Sequence, residues 1–290
     1  MKGFAASQDA AWRKAISGLN QLPPFSPIVT RLLGELSNED ASFSRIGDLI
    51  EKDTVVAANV LRLVNSAIYG RQGTVSSVRH AISILGINKL RNTVLAISIN
   101  NLWNRLRPAP GWSMRDFNRH SSAVAILADQ LVLHVPVAYP EGAFTAGLLH
   151  DLGKLLIATT LPDLNRRIEA LGGEDPELRL AAEQEVLGFR HARVSETALK
   201  RWELPVAVLE AIRDHHEPPG AGRVTLAAVV RAADQCVNRL GMPSQPGIRV
   251  EADPLEPLFQ AGLDRDAVRV LDDFQRELAA PEGLLASATA

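Results

Sequence analysis

Cysteine is almost missing from this chain: among 290 residues there is one, Cys236. An intramolecular disulfide is excluded, as is a cysteine-rich zinc site, and the composition suits a reducing compartment. Long apolar runs are missing too. Stretches such as "VTLAAVV" fall far short of the roughly 20 residues a membrane-crossing helix needs, and the opening "MKGFAASQDAAWRKAI" has too short an apolar segment for a secretory signal. The sequence therefore predicts a soluble, cytoplasmic protein with no membrane partner. An excess of one charge is also absent, since 31 Lys and Arg stand against 33 Asp and Glu for a net charge of −2. With no basic surplus and no aromatic-basic platform, nucleic acid is not an expected partner, and "NKLRNTVLAISINNLWNRLR" reads as a helix with solvated arginines. Extended alternation of Val, Ile and Thr is scarce, which argues against a sheet.

What the chain has in abundance is apolar residues at helical spacing, so an all-α fold is expected. "FSPIVTRLLGELS" opens on the Ser26-Pro27 start signal with Ile28, Leu32 and Leu36 on one stripe. In the next segment Ile46, Leu49 and Ile50 mark one helix, and Val56, Val60, Leu63 and Val64 mark a second that Gly70 stops; the two meet near Asp53-Thr54. A further face runs through Leu90, Val94, Ile97 and Leu102. Two prolines and a glycine in "RPAPGW" punctuate the chain. The expected organisation is an N-terminal helical bundle over 1–110, packed through an apolar interface against a second helical domain over 111–243. A linker, one amphipathic helix and a loose tail follow over 244–290.

The chemistry-bearing residues gather in the second unit. Of seven histidines, His120, His150, His191, His215 and His216 stand there at helix ends or on apolar faces. His120 shares a face with Val124, Leu127 and Leu131. His150 is followed directly by Asp151 within "AGLLHDLGKL", and Asp234 lies inside the apolar "VTLAAVVRAADQC". Imidazole and carboxylate are the ligand set of zinc, iron and manganese, and a buried aspartate demands a charged or metallic partner. The bland alternative is a set of separately satisfied polar residues that cap and bridge helices. If the group converges, His120, His150, Asp151 and Asp234 hold one ion, and Asp151 bridges to a second held by His191, His215 and His216, with Glu185 as an added ligand or orienting group. Paired divalent cations supply Lewis acidity toward water and phosphoryl oxygens. Asp151 would then be catalytic, with Lys154 as a point charge for a substrate phosphate.

These residues carry a resemblance. His120, His150-Asp151 and Asp234 resemble the ligand pattern of the HD superfamily of metal-dependent phosphohydrolases. The ordered motifs "LPPFSPIVTRLLGEL", "LRLVNSAIYG", "SVRHAISILGINKLRN", "GLLHDLGKL", "EVLGFRHARVSETALKRWELP" and "AIRDHHEPP" resemble the HDOD family over residues 20 to about 240. That resemblance implies an N-terminal bundle packed on an HD-like domain, in a regulatory module of bacterial signalling that acts by binding a protein or a nucleotide- or phosphate-containing ligand. The family usually has proline where Thr54 stands and glycine where Ser195 stands. The related HD-GYP phosphodiesterases of cyclic dinucleotides share "HHE" at His215, His216 and Glu217 but continue to a Gly-Tyr-Pro signature, whereas this chain reads "HHEPPGAGRV". A regulatory module is therefore the reading, with a metal-dependent phosphohydrolase, in particular a cyclic-dinucleotide phosphodiesterase, as the enzymatic alternative.

Overall fold

The computed structural model describes residues 2–18, 27–34, 47–48, 50–65, 75–218 and 224–279. Every described regular element is helical, and no strand occurs among the described residues. Ser26, Leu36, Ile46, Leu49, Gly70 and the 280–290 tail lie outside them.

Among the described residues the first unit includes α2 (Pro27–Gly34), α3 (Thr54–Val64), α4 (Val78–Leu85) and α5 (Ile87–Trp103). Asp53 stands at the start of α3 and its Oδ1 accepts from Val56 N at 3.1 Å, capping the helix. Ser77 caps α4 in the same way, through His80 N. Helices α2, α3 and α4 all lean on α5. α5 is buried almost all round from Leu90 to Ile97, because its other side meets the second unit. Arg91 is thereby enclosed rather than solvated, contrary to the expectation for this stretch, while Arg105 and Arg107 remain exposed. The seam is apolar with polar stitches: Trp103 meets Trp202 at 6.0 Å between ring centroids, Asn92 Nδ2 donates to Asp129 Oδ2 at 3.1 Å, and Asn118 Nδ2 donates to Asn104 Oδ1 at 2.9 Å.

The second unit contains α6 (Met114–Leu131), α7 (Ala143–Leu149), α8 (Leu152–Thr160), α9 (Pro162–Gly172), α10 (Pro176–Leu187), α11 (His191–Leu199), α12 (Val206–Asp214) and α13 (Leu226–Arg239). Ser113, Asp175 and Thr225 cap α6, α10 and α13 through side-chain oxygens. α7 lies closest to α6 at Gly147, where a Cβ would stand 2.8 Å from Ala125 Cα; only glycine permits that approach.

Both ends of the chain return to this unit. α1 (Lys2–Ser17) packs on α8, α10 and α11. Trp12 sits edge-on to Phe189 at 5.0 Å and under the Arg193 guanidinium at 4.9 Å. After the short α14 (Glu256–Gln260), α15 (Ala267–Ala279) packs on α6, and its Glu277 pairs with Lys89 of α5 at 2.9 Å. A single hydrophobic core, from Ala11 to Phe274, runs through all of it. No single described helix is long and apolar enough to cross a membrane.

Candidate metal centre

The second unit's helices bring the five histidines to one buried place. His120 projects from the middle of α6, and Asp234 faces it from α13 at 3.2 Å (Nε2 to Oδ1). The chain between α7 and α8 breaks at His150-Asp151: His150 ends one helix, and Asp151 opens the next with φ −94° and ψ 7°. On an unbroken helix the two side chains would diverge by about 100°. The break turns both toward the same point, with His150 Nε2 3.4 Å from Asp151 Oδ1. Ser195 fixes that break. Its hydroxyl donates to His150 O at 2.8 Å and accepts from Gly153 N at 2.7 Å, stapling the turn. Gly153 is required beside it, since a Cβ there would lie 2.0 Å from His191 O.

Two groups of ligand atoms result, His120, His150, Asp151 and Asp234 in one and Asp151, His191, His215 and His216 in the other. In the first, His120 Nε2 lies 3.4 Å from His150 Nε2 and 3.6 Å from Asp151 Oδ2. In the second, His191 Nε2 lies 3.2 Å from Asp151 Oδ1 and 3.0 Å from His216 Nε2, and His215 Nε2 lies 3.9 Å from Asp151 Oδ1. Groups each about 2.0–2.2 Å from a common ion have separations of this order. All of these residues are buried except His216, which is half-buried.

The outer nitrogens show what the inner ones offer. Nδ1 of His120 donates to Met242 O, Nδ1 of His150 to Gly147 O and Nδ1 of His215 to Ile212 O, each at 2.7 Å, and Nδ1 of His191 donates to Glu183 Oε2 at 2.8 Å. A carbonyl only accepts, so Nδ1 carries a proton and Nε2 is the nitrogen turned inward, the one a metal-ligating histidine offers once any proton on it has left. Asp151 Oδ1 and His215 Nε2, buried at the centre, have no hydrogen-bond partner. Inward imidazole nitrogens and carboxylate oxygens packed this closely need protons or a metal cation among them, so the donor set fits a divalent ion.

Titration behaviour follows from the same crowding. Burial disfavours a charged His150, but Asp151 and Asp234 outweigh it and push the imidazole up to about 10. Burial, with His150 and His191 adding repulsion, drives His215 down to about 3. Burial would raise Asp151, yet His150 and Lys154 hold it well below the usual carboxylate range. Asp234 is held low against burial by its bonds to His120 and His150.

Lys154 extends back over the centre, its Nζ 2.8 Å from Asp151 Oδ2. Glu185 is exposed on α10 and belongs to neither group. Two residues are a rotation of about 200° on a helix, and Glu183 is the carboxylate that faces in, accepting from both the backbone N and Nδ1 of His191. Sequence reasoning also missed Ser244, whose hydroxyl donates to Asp151 Oδ2 at 2.7 Å, and Asn238, whose amide donates to Asp234 Oδ1 at 2.7 Å. Asn238 was discoverable one helical turn after Asp234; Ser244 sits in irregular chain and carried no periodic signal.

An all-helical scaffold that gathers histidines and aspartates at a broken helix is the construction of an HD-type domain. The chain belongs to the HDOD domain family, whose profile matches residues 22–218. It is similar in fold to an HDOD domain protein of unknown function from Geobacter sulfurreducens, with a TM-score of 0.75 and 23% identity over 98% of both chains. A candidate signal transduction protein from Marinobacter aquaeolei VT8 is similar at a TM-score of 0.73 and 20% identity, over 98% of this chain and 67% of that one. A candidate phosphohydrolase from Shewanella amazonensis SB2B follows at 0.70 and 22%, over 96% and 98%. An uncharacterized protein of Treponema pallidum (strain Nichols) is 22% identical over 214 residues, which are 70% of this chain and 39% of that protein. The chain thus spans well under half the length of this curated relative.

Proposed function

We propose that this HDOD protein is a regulatory module of bacterial signal transduction that acts by binding a protein partner and carries a divalent-metal centre at the base of its second unit. The observation that carries this reading is the roof over the centre. Residues 242–248 close it through the Met242 carbonyl on His120 and the Ser244 hydroxyl on Asp151, and leave a cavity of about 30 Å³. Pockets that take drug-sized ligands measure roughly 300–1,000 Å³, so a centre closed in this way suits binding better than turnover of a nucleotide. The similarity to a candidate signal transduction protein supports the same reading. His120, His150, Asp151 and Asp234 would hold one ion and Asp151, His191, His215 and His216 a second. The nitrogen and oxygen ligand set suits Fe, Mn or Zn.

The shared Asp151, with Lys154 above it, favours a second reading, a metal-dependent phosphohydrolase. Bound in pairs, divalent cations supply a nucleophile at neutral pH and clamp phosphoryl oxygens. Assay of the protein loaded with Mn, Fe or Zn separates the two. The expected result is no turnover of cyclic dinucleotides above a metal-only control; robust turnover that Asp151→Ala abolishes would replace the regulatory reading with the enzymatic one.

A further inference from the structure

Arg179, on α10 one turn before Glu183, is a buried guanidinium with 6% of its surface exposed. Among the described residues no carboxylate lies within ion-pair distance of it. Its Nε donates to Gly173 O at 2.8 Å and its Nη2 to Pro246 O at 2.9 Å, while Nη1 has no partner. Burying a guanidinium without an ion-pair partner is costly; the carboxylate that attracts it, Glu169, stays beyond ion-pair distance, and two of its donors tie the end of α9 and the roof to α10.

What Arg179 borders explains its charge. It lines the cavity above the centre together with Lys154, His216, Asn238, Ser244 and Gln245. Lys154 spends two of its three N–H groups, on Asp151 Oδ2 at 2.8 Å and Ser244 Oγ at 3.4 Å, and keeps one. The carboxylates in the cavity wall, Glu183 and Asp234, are already engaged by His191 and His120. Lys154 is balanced by Asp151, so the charge left without an ion-pair partner at this space is the guanidinium of Arg179. The cavity volume, about 30 Å³, suits a few waters or one tetrahedral ion.

We infer that Arg179 and Lys154 form a seat for a single oxyanion of phosphate size, roofed by residues 242–248, beside the metal-ligating centre. The guanidinium offers a planar fork that matches phosphoryl oxygens and the ammonium a point charge. The roof sets the size limit: its Pro246 carbonyl rests on Arg179 and its Ser244 hydroxyl on Asp151, so a cyclic dinucleotide does not enter. The inference deepens the binding reading and rests on it only for the neighbouring ions.

The test is titration calorimetry of the full chain with inorganic phosphate and, separately, with a cyclic dinucleotide. It uses metal-free and Mn²⁺-loaded protein, with metal content measured by elemental analysis. Phosphate is expected to bind, the dinucleotide to give no heat, and Arg179→Met to weaken phosphate roughly tenfold or more with metal content unchanged. Arg179→Lys, which keeps the charge and loses the fork, should fall between, and it carries the comparison if circular dichroism shows the methionine variant unfolded. Phosphate affinity equal in wild type and variant overturns the seat, as does a wild type that binds no phosphate or binds the dinucleotide as well. Metal bound without phosphate binding leaves the metal centre standing and removes the seat. Arg179-dependent phosphate binding by protein that takes up no metal does the reverse.

Discussion

The two halves of the histidine cluster share Asp151 and differ in almost everything else. The first sets two carboxylates against two imidazoles, the second one carboxylate against three. The first therefore attracts a cation strongly enough to hold a proton on His150, raised to about 10, whereas in the second burial and mutual repulsion strip the proton from His215, lowered to about 3. A pair of acidic ligands can be partly satisfied without metal. In the second group, burial disfavours a charged His191 but Glu183 raises it, while His215 and His216 are driven neutral by burial and by their charged neighbours, and the unpartnered His215 Nε2 records the difference.

The sharpest way to break the comparison is Asp151→Ala. Because both groups use this carboxylate, metal content measured by elemental analysis should fall from two equivalents to none, and Lys154 loses its buried partner as well. Retention of one tight equivalent would mean that the halves are independent.

A smaller effect comes from proton competition. A metal entering the first group displaces the His150 proton, so affinity should rise about tenfold per pH unit below about 10. Stability of the metal-free protein follows the same groups. The His150 pKa is raised by folding, so its contribution is complete below the unfolded value of about 6.5 and is lost as pH climbs through about 10. The His215 pKa is depressed, so stability is lost as pH falls from about 6.5 toward about 3, where the unfolded chain takes up a proton that the folded one refuses. Thermal melting of metal-free protein across this range should give a maximum between the two; a flat profile would contradict both shifts.

Glu183→Gln should produce the mildest change. It keeps the shape but weakens the grip on His191 Nδ1, and losses of metal affinity of about 10–100-fold are typical for such supporting groups. The loss should be confined to the second group, and Glu185→Gln, on the exposed side of α10, should change nothing.

Much of this arrangement was legible in the sequence, and the exceptions share a cause. Helical spacing identified the faces of α6 and α13, which is why His120 and Asp234 were expected to point inward. The break at His150-Asp151 was not legible, because residues 143–153 are all buried, so no stripe marks where one helix stops. α10 hides its orientation in another way: acidic and apolar residues mingle around it, and nothing in "PELRLAAEQEVL" distinguishes Glu183 from Glu185. Arg91 misled because a charged residue in a helix usually faces water, while α5 has covered neighbours on both sides. The roof lies in a proline- and glycine-rich segment, where periodicity has nothing to act on.

The family's characteristic stretch ends at residue 218, before Asp234, Met242 and Ser244 have appeared. A fragment trimmed to that stretch would keep all five histidines of the cluster and still lack the carboxylate opposite His120 and the roof that orients its imidazole. Dissection of this protein has to run at least through Ile248 to keep the roof, and a cut before Asp234 also removes one of the four residues of the first ligand group.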